Sequence, residues 1–154
     1  MFFSAVENNG NTGDGEDTTY SQSRDALEEK LAEAIDGMTE KSANVRSNSM
    51  ASLISLLSSQ FIPEVVMSRR ETLRDHLEKI FKRGLRSEQA QAASLFSLTI
   101  LQLGAIDGDL IYEDFVALKP ILQNIVADHT APVATRVKVA KITSPFFSYI
   151  KSIQ

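Results

Sequence analysis

The sequence contains no cysteine, which excludes disulfides, thiol nucleophiles and thiolate metal sites on chemical grounds. Histidine occurs only twice, too few for a histidine-rich zinc site. No glycine-rich phosphate loop of the Walker or dinucleotide type is present, so the common nucleotide-binding signatures are missing. No run stays apolar for the roughly 18–20 positions that a membrane span requires. The start, Met1-Phe2-Phe3-Ser4-Ala5-Val6, has an apolar flavour. It lacks the basic region and the roughly 7–15-residue apolar stretch of a secretory signal. These absences lead us to expect a soluble intracellular protein, nuclear or cytoplasmic, with no enzymatic activity, metal or cofactor.

What is present is a chain of 154 residues, 43% of them hydrophobic, enough for one domain with one core. The net charge of −4 hides an asymmetry: residues 1–40 carry ten Asp and Glu against two basic side chains. That segment is −8, which leaves +4 for residues 41–154. Such a split is typical of regulatory or interaction proteins and argues against non-specific nucleic-acid binding by the whole chain. Residues 4–22 hold three Gly and many Asn, Thr, Asp and Ser. With few large apolar groups to offset ordering entropy, we expect a disordered acidic leader over 1–22.

From residue 23 onward the hydrophobic period is helical. Asp25 with Glu28 gives an acidic capping pattern, followed by Leu27, Leu31, Ala34, Ile35 and Met38 in a first helix ending near Gly37. A second is expected from Ser42 as N-cap, with Val45, Ser49, Leu53, Leu56 and Leu57 on one face, widened by Met50 and Ile54. Pro63 suits the first turn of a short helix. A longer one spans 69–83, with Leu73, Leu77, Ile80 and Phe81 inward and Gly84 as its stop. The next opens at Ser87, is apolar on more than one side through to Gly104, and should be the most buried element. Residues 110–127 read as helix kinked or split at Pro120, and the last helix spans about 131–142, ended by Ser144-Pro145. The tail Phe146-Phe147-Ser148-Tyr149-Ile150 shows aromatic bulk with no opposite polar face. The class is therefore all-α. Helix pairs beginning near residues 25, 63 and 109 are spaced by roughly 40, as in HEAT or armadillo units, yet periodicity leaves bundle and solenoid both open.

A further pattern comes from ordered segments: Glu40-Lys41-Ser42-Ala43-Asn44-Val45-Arg46, Pro63-Glu64, Arg69-Arg70-Glu71-Thr72-Leu73, Leu77-Glu78-Lys79 and Lys82-Arg83-Gly84. Glu88-Gln89-Ala90-Gln91-Ala92-Ala93 and Leu101-Gln102-Leu103-Gly104 continue it. This collinear set, over about residues 27–143, resembles the N-terminal region of the interferon-related developmental regulator family. The resemblance implies an armadillo-type α-solenoid, here about three helix pairs over 23–143. It also implies a non-catalytic regulator acting in transcriptional control through protein partners, or in association with the ribosome and its RNA. Members of that family are longer, and residues 144–154 depart from its pattern, so a truncated, non-functional product is a third expectation.

Candidate chemistry is sparse. Asp107-Gly108-Asp109 lacks the later ligands of a calcium loop, because Leu110 and Ile111 follow, and reads as a helix-joining turn with an acidic N-cap. His76 reads as a surface or boundary histidine, and His129 as a loop residue without a metal set. Glu28-Glu29 and Glu113-Asp114 are adjacent on helices, point apart and read as solvated faces. The feature of interest is the stretch 69–86, where Arg69, Arg70, Arg74, Lys79, Lys82, Arg83 and Arg86 face only three acids, a net of +4. It is either a solvated helix surface with internal salt bridges or a basic interaction patch for RNA phosphates or an acidic protein surface.

Overall fold

A computed structural model describes the backbone of residues 14–153 and the side chains of residues 18–144. Among the described residues there are seven helices and no strand. They are α1 (Asp14–Gly37), α2 (Ala43–Ser59), α3 (Pro63–Ser68), α4 (Arg70–Arg83), α5 (Arg86–Gly104), α6 (Gly108–Ala127) and α7 (Val133–Ile153).

The hydrophobic period places the core. Leu31 and Ile35 of α1, with Met38 just beyond its end, meet Met50, Leu53, Leu56 and Leu57 of α2, and Leu73, Leu77, Ile80 and Phe81 of α4 turn inward as their spacing requires. α5 contributes more buried residues than any other helix, among them Ala92, Ala93, Leu95, Phe96 and Leu103. It packs against α2, α3, α4, α6 and α7. The small Ala92 and Ala93 let these neighbours approach its backbone from several sides.

The helices form two layers. α2, α5 and α7 lie side by side in one, while α1, α4 and α6 succeed one another in the other, with α3 bridging α1 and α5. α1 pairs with α2 and α6 with α7, and each pair packs on its sequence neighbour. The result is an all-α helical-repeat stack, whose stability is built from nearest-neighbour interfaces.

Helix ends follow local chemistry. The Ser42 Oγ accepts the Val45 N–H at 3.4 Å, and the Asp107 carboxylate accepts the N–H groups of Asp109 and Leu110, both at 3.1 Å. Each satisfies orphan donors of a first turn. Gly84 ends α4 in an extended, not left-handed, conformation. Glycine is required there because a Cβ would lie 2.5 Å from the Ile80 carbonyl oxygen.

Three expectations about helix bounds are corrected, and so is the reading of Glu113-Asp114 as a solvated face, because Asp114 is buried at 2% exposure between Arg70 and Arg74. α1 starts at Asp14, so residues 14–22, expected to be disordered, are helical, and Asp25 lies within the helix instead of capping it. The side chains of 18–26 are exposed, so this extension is held by local terms. Each added residue gains one backbone bond once the helix is nucleated, and Arg24 pairs with Glu28 one turn on at 3.1 Å. Residues 1–13 lie outside the described residues.

α6 runs unsplit through Pro120. The lost N–H would have met the carbonyl of Val116, and both residues lie on the exposed side of the helix, where a freed carbonyl costs less than in the core. α7 likewise continues through Pro145 to Ile153, rather than ending near residue 142. There the unpaired carbonyl is that of Lys141, again an exposed residue. The side chains of Phe146 to Ile150 lie outside the described residues.

Candidate functional site

Only part of the basic stretch remains a surface patch once the stack forms. Arg70 is turned inward, its side chain 11% exposed, and its Nε and Nη2 donate to the two oxygens of Asp114 at 2.7 Å each. Its Nη2 also donates to the Leu110 carbonyl at 3.3 Å. Arg74 donates to Asp75 at 3.1 Å and to Asp114 at 3.3 Å. The hydrogen bonds that Arg70 donates to Asp114, and Arg74 to Asp75, raise both guanidinium pKa values above their ordinary level. Arg86 donates to Asp128, Gln89 and Thr130. Lys82 is paired with Glu78 one turn earlier at 2.6 Å.

Three of these contacts share a logic that periodicity of apolar residues does not reveal. Arg46 with Glu88, Arg70 with Asp114 and Arg86 with Asp128 each join residues 42 to 44 apart, close to one repeat. Each arginine therefore clamps one helix pair to the next. Arg46 does most, donating to Glu88 at 2.8 Å and, through Nη1, to the carbonyls of Glu40 and Lys41 at 2.8 Å each. It thereby fixes the α1–α2 turn against α5. Asp128 is held well below the usual carboxylate range, at about 2, by the hydroxyl and N–H of Thr130 and then by Arg86. Its Oδ1 accepts both Thr130 groups, at 2.6 and 2.9 Å.

Arg69, Lys79 and Arg83 are exposed and have no side-chain partner among the described residues. Lys79 and Arg83 line a recess of about 370 Å3 between the α1–α2 turn and the end of α4, together with Lys41, Arg46, Met38 and Ile80. Lys41, which the sequence did not single out, is also exposed and unpaired.

The second layer presents a different surface. Between Ser47 and Ser59 of α2, and between Gln89 and Gly104 of α5, there is no charged residue. The solvent-facing positions are small or neutral: Asn48, Ala51, Ser52 and Ser55 of α2, with Ser94, Ser97 and Leu98 of α5 half-buried. At the C-terminal end of this layer, Phe61 and Leu101 are 66% and 70% exposed and line one groove with Leu98. Toward α7 the layer gains the exposed Lys138 and Lys141.

The two histidines stand apart. His76 is half-buried on α4, with Nδ1 3.0 Å from the Ile35 carbonyl oxygen, so it ties α4 to α1. His129 is exposed in the α6–α7 turn. Among the described residues, no group of three or more His, Asp or Glu is placed to hold a metal ion, and no helix is long and apolar enough to cross a membrane.

Comparison with known proteins agrees with this fold. The family model for interferon-related developmental regulators matches residues 3–144, reaching further toward the N-terminus than the segment motifs do. Interferon-related developmental regulator 2 of Mus musculus is 36% identical over 126 residues, 82% of this chain and 28% of that protein. Interferon-related developmental regulator 1 of Sus scrofa is 35% identical, and that of Homo sapiens 36%, each over 111 residues, 71% of this chain and 24% of the relative. The chain thus spans about a quarter of the length of these relatives. With a match covering most of its length, and the ordered segments in place on α2 to α5, the chain belongs to the interferon-related developmental regulator family.

Proposed function

We propose that the chain is a non-catalytic scaffold that binds a protein partner along the layer formed by α2, α5 and α7. The observation that carries this reading is the charge-free, small-residue surface of α2 and α5, bordered by the exposed Phe61 and Leu101. A monomer surface is ordinarily studded with charge, whereas the centre of an interface is depleted of it and enriched in aromatic residues. Small side chains such as Ala51, Ser52 and Ser55 also let a partner backbone approach closely. The regulatory role carried by the family name fits such a scaffold, and transcriptional co-regulation through protein contacts is the role we assign.

A second reading, docking on ribosomal RNA, rests on Arg69, Lys79 and Arg83. With only three of the seven basic side chains free, the expected salt slope is shallow, roughly −2 to −3 on a log–log plot. One experiment separates the two. The tagged chain is purified from its own cells with its associated proteins, alongside Ser52→Arg/Ser55→Arg and Arg69→Glu/Lys79→Glu/Arg83→Glu. Loss of partner proteins in the first variant alone supports the scaffold reading. Loss of ribosomal proteins in the second alone, with the first variant unaffected, overturns it in favour of RNA.

A further inference from the structure

We infer that the recess between the α1–α2 turn and the end of α4 is a binding site for a phosphorylated serine or threonine side chain of a partner protein. The recess holds about 370 Å3 and is lined by Lys41, Lys79 and Arg83 over a floor that includes Met38 and Ile80. All three cations are exposed and without a partner among the described residues. Arg46, Arg70, Arg74, Arg86 and Lys82 are each matched to a carboxylate, and the exposed Arg69, Lys138 and Lys141 do not line this recess. Three unmatched cations that line one small concavity repel one another, and an anion placed among them relieves that repulsion.

The charge balance selects the class of anion. Glu88 lines the recess but is neutralised by Arg46 at 2.8 Å, and among the unpaired groups only Glu40 opposes the three cations. The unpaired excess is +2, which matches one phosphate monoester, carrying about −1.5 to −2 at neutral pH, better than a single carboxylate. A planar guanidinium beside two ammonium groups supplies both forked and point-charge contacts to phosphate oxygens. A polynucleotide fits less well, because the unpaired excess of +2 suits one phosphate, the Glu40 carboxylate in the lining opposes further ones, and no aromatic residue lines the recess for base stacking.

The walls are fixed before any ligand arrives. Arg46 clamps the Glu40 and Lys41 carbonyls to α5, and Gly84 keeps the end of α4 close to Glu88. Pre-organisation of this kind lowers the ordering entropy that binding must overcome. The recess adjoins the N-terminal ends of α2 and α5, but its three free cations belong to the α1–α2 turn and to α4, so this inference stands independently of the scaffold reading.

The test is a nuclear magnetic resonance titration of the whole isotope-labelled chain with N-acetyl-phosphoserine amide, its unphosphorylated counterpart and hexauridylate. Saturable shifts of the Lys41, Lys79, Arg83 and Gly84 amides are expected with the phosphoserine compound, which binds at least about tenfold more tightly than the serine compound. Lys79→Glu/Arg83→Glu, two exposed changes, should weaken it by at least about tenfold with the rest of the spectrum retained. Lys41→Gln should weaken it by less while preserving the shift pattern. Equal response to both amides, or binding untouched in Lys79→Glu/Arg83→Glu, overturns the inference. So does tighter binding of hexauridylate at the same amides, which would assign the recess to RNA.

Discussion

Asp114→Ala tests whether the repeat-joining arginines hold the stack together. The substitution removes the carboxylate that accepts two 2.7 Å bonds from Arg70 and one of 3.3 Å from Arg74. Arg74 is 30% exposed and keeps Asp75, so it rehydrates at little expense. Arg70, at 11% exposure, keeps only the Leu110 carbonyl at 3.3 Å. The destabilisation is therefore that of one stranded, largely buried guanidinium. Breaking a buried pair by removing one partner costs about 3–5 kcal/mol. The long stem of Arg70 can carry its head partway toward solvent, which places the expectation at the lower end, about 3 kcal/mol. At about 2–4 °C per kcal/mol for a domain of this size, Tm falls by about 6–12 °C. Urea unfolding followed by circular dichroism should show a lower midpoint with an unchanged slope, because the exposed surface on unfolding stays the same. Arg70→Met/Asp114→Leu, which removes both charges, should return to within about 1 kcal/mol of the parent. A loss below about 1 kcal/mol in Asp114→Ala would refute the reasoning. A double variant as weak as the single one would too, since packing rather than charge would then set the cost.

Other perturbations follow from single contacts. Gln102→Ala should cost about 2 kcal/mol in urea unfolding, because the buried amide donates to the Leu57 and Gln60 carbonyls and accepts the Ile62 N–H; hydrogen exchange should accelerate at the Ile62 amide. Gly37→Ala places a Cβ 2.1 Å from the Ser49 Oγ and should destabilise by about 1–3 kcal/mol, a loss that Ser49→Gly relieves. Gly104→Ala meets nothing within 4 Å and should instead stabilise by about 0.4–1 kcal/mol, read as a higher Tm. Asp128, held at about 2, contributes stability that is present above its unfolded value of about 3.9 and lost as pH falls toward 2. The Tm difference between the parent and Asp128→Ala should therefore be constant above about pH 5 and shrink steadily between about pH 4 and pH 2.

The sequence made the helices legible wherever apolar spacing and a stop signal agreed. Ser42, Pro63, Gly84 and Asp107 each bound a helix as their chemistry requires, and the inward faces of α1, α2 and α4 coincide with the apolar positions read from spacing except at Val45, which is exposed. Errors arose where a local signal was weaker than it looked. A proline inside a helix removes one backbone bond, and at Pro120 and Pro145 the carbonyl affected belongs to an exposed residue, so a single unfavourable term did not end the helix. The start of α1 was missed for the converse reason. Composition reports whether a segment can bury surface, and residues 18–26 bury almost none; yet a helix already anchored by Leu31 and Ile35 extends outward by backbone bonding and the Arg24–Glu28 pair.

The basic stretch shows a deeper limit of counting charge. Binding by a patch depends on cations left unmatched, and a count over residues 69–86 includes Arg70, Arg74 and Arg86, whose carboxylates sit on α6, beside Arg74 and in the α6–α7 turn. Pairing rules confined to three or four residues find Glu78 for Lys82 and miss Asp114 for Arg70. The repeat spacing of about 40 was nevertheless available from the apolar pattern. Applied to charges instead of hydrophobes, it brings Arg46, Arg70 and Arg86 opposite Glu88, Asp114 and Asp128, with separations of 42, 44 and 42 residues. Subtracting those pairs, together with Arg74–Asp75 and Lys82–Glu78, leaves Arg69, Lys79 and Arg83, and the turn fixed by Arg46 brings Lys41 to the last two. In a helical-repeat protein, then, the period that locates the core also separates the charges that hold the stack from those free to meet a partner.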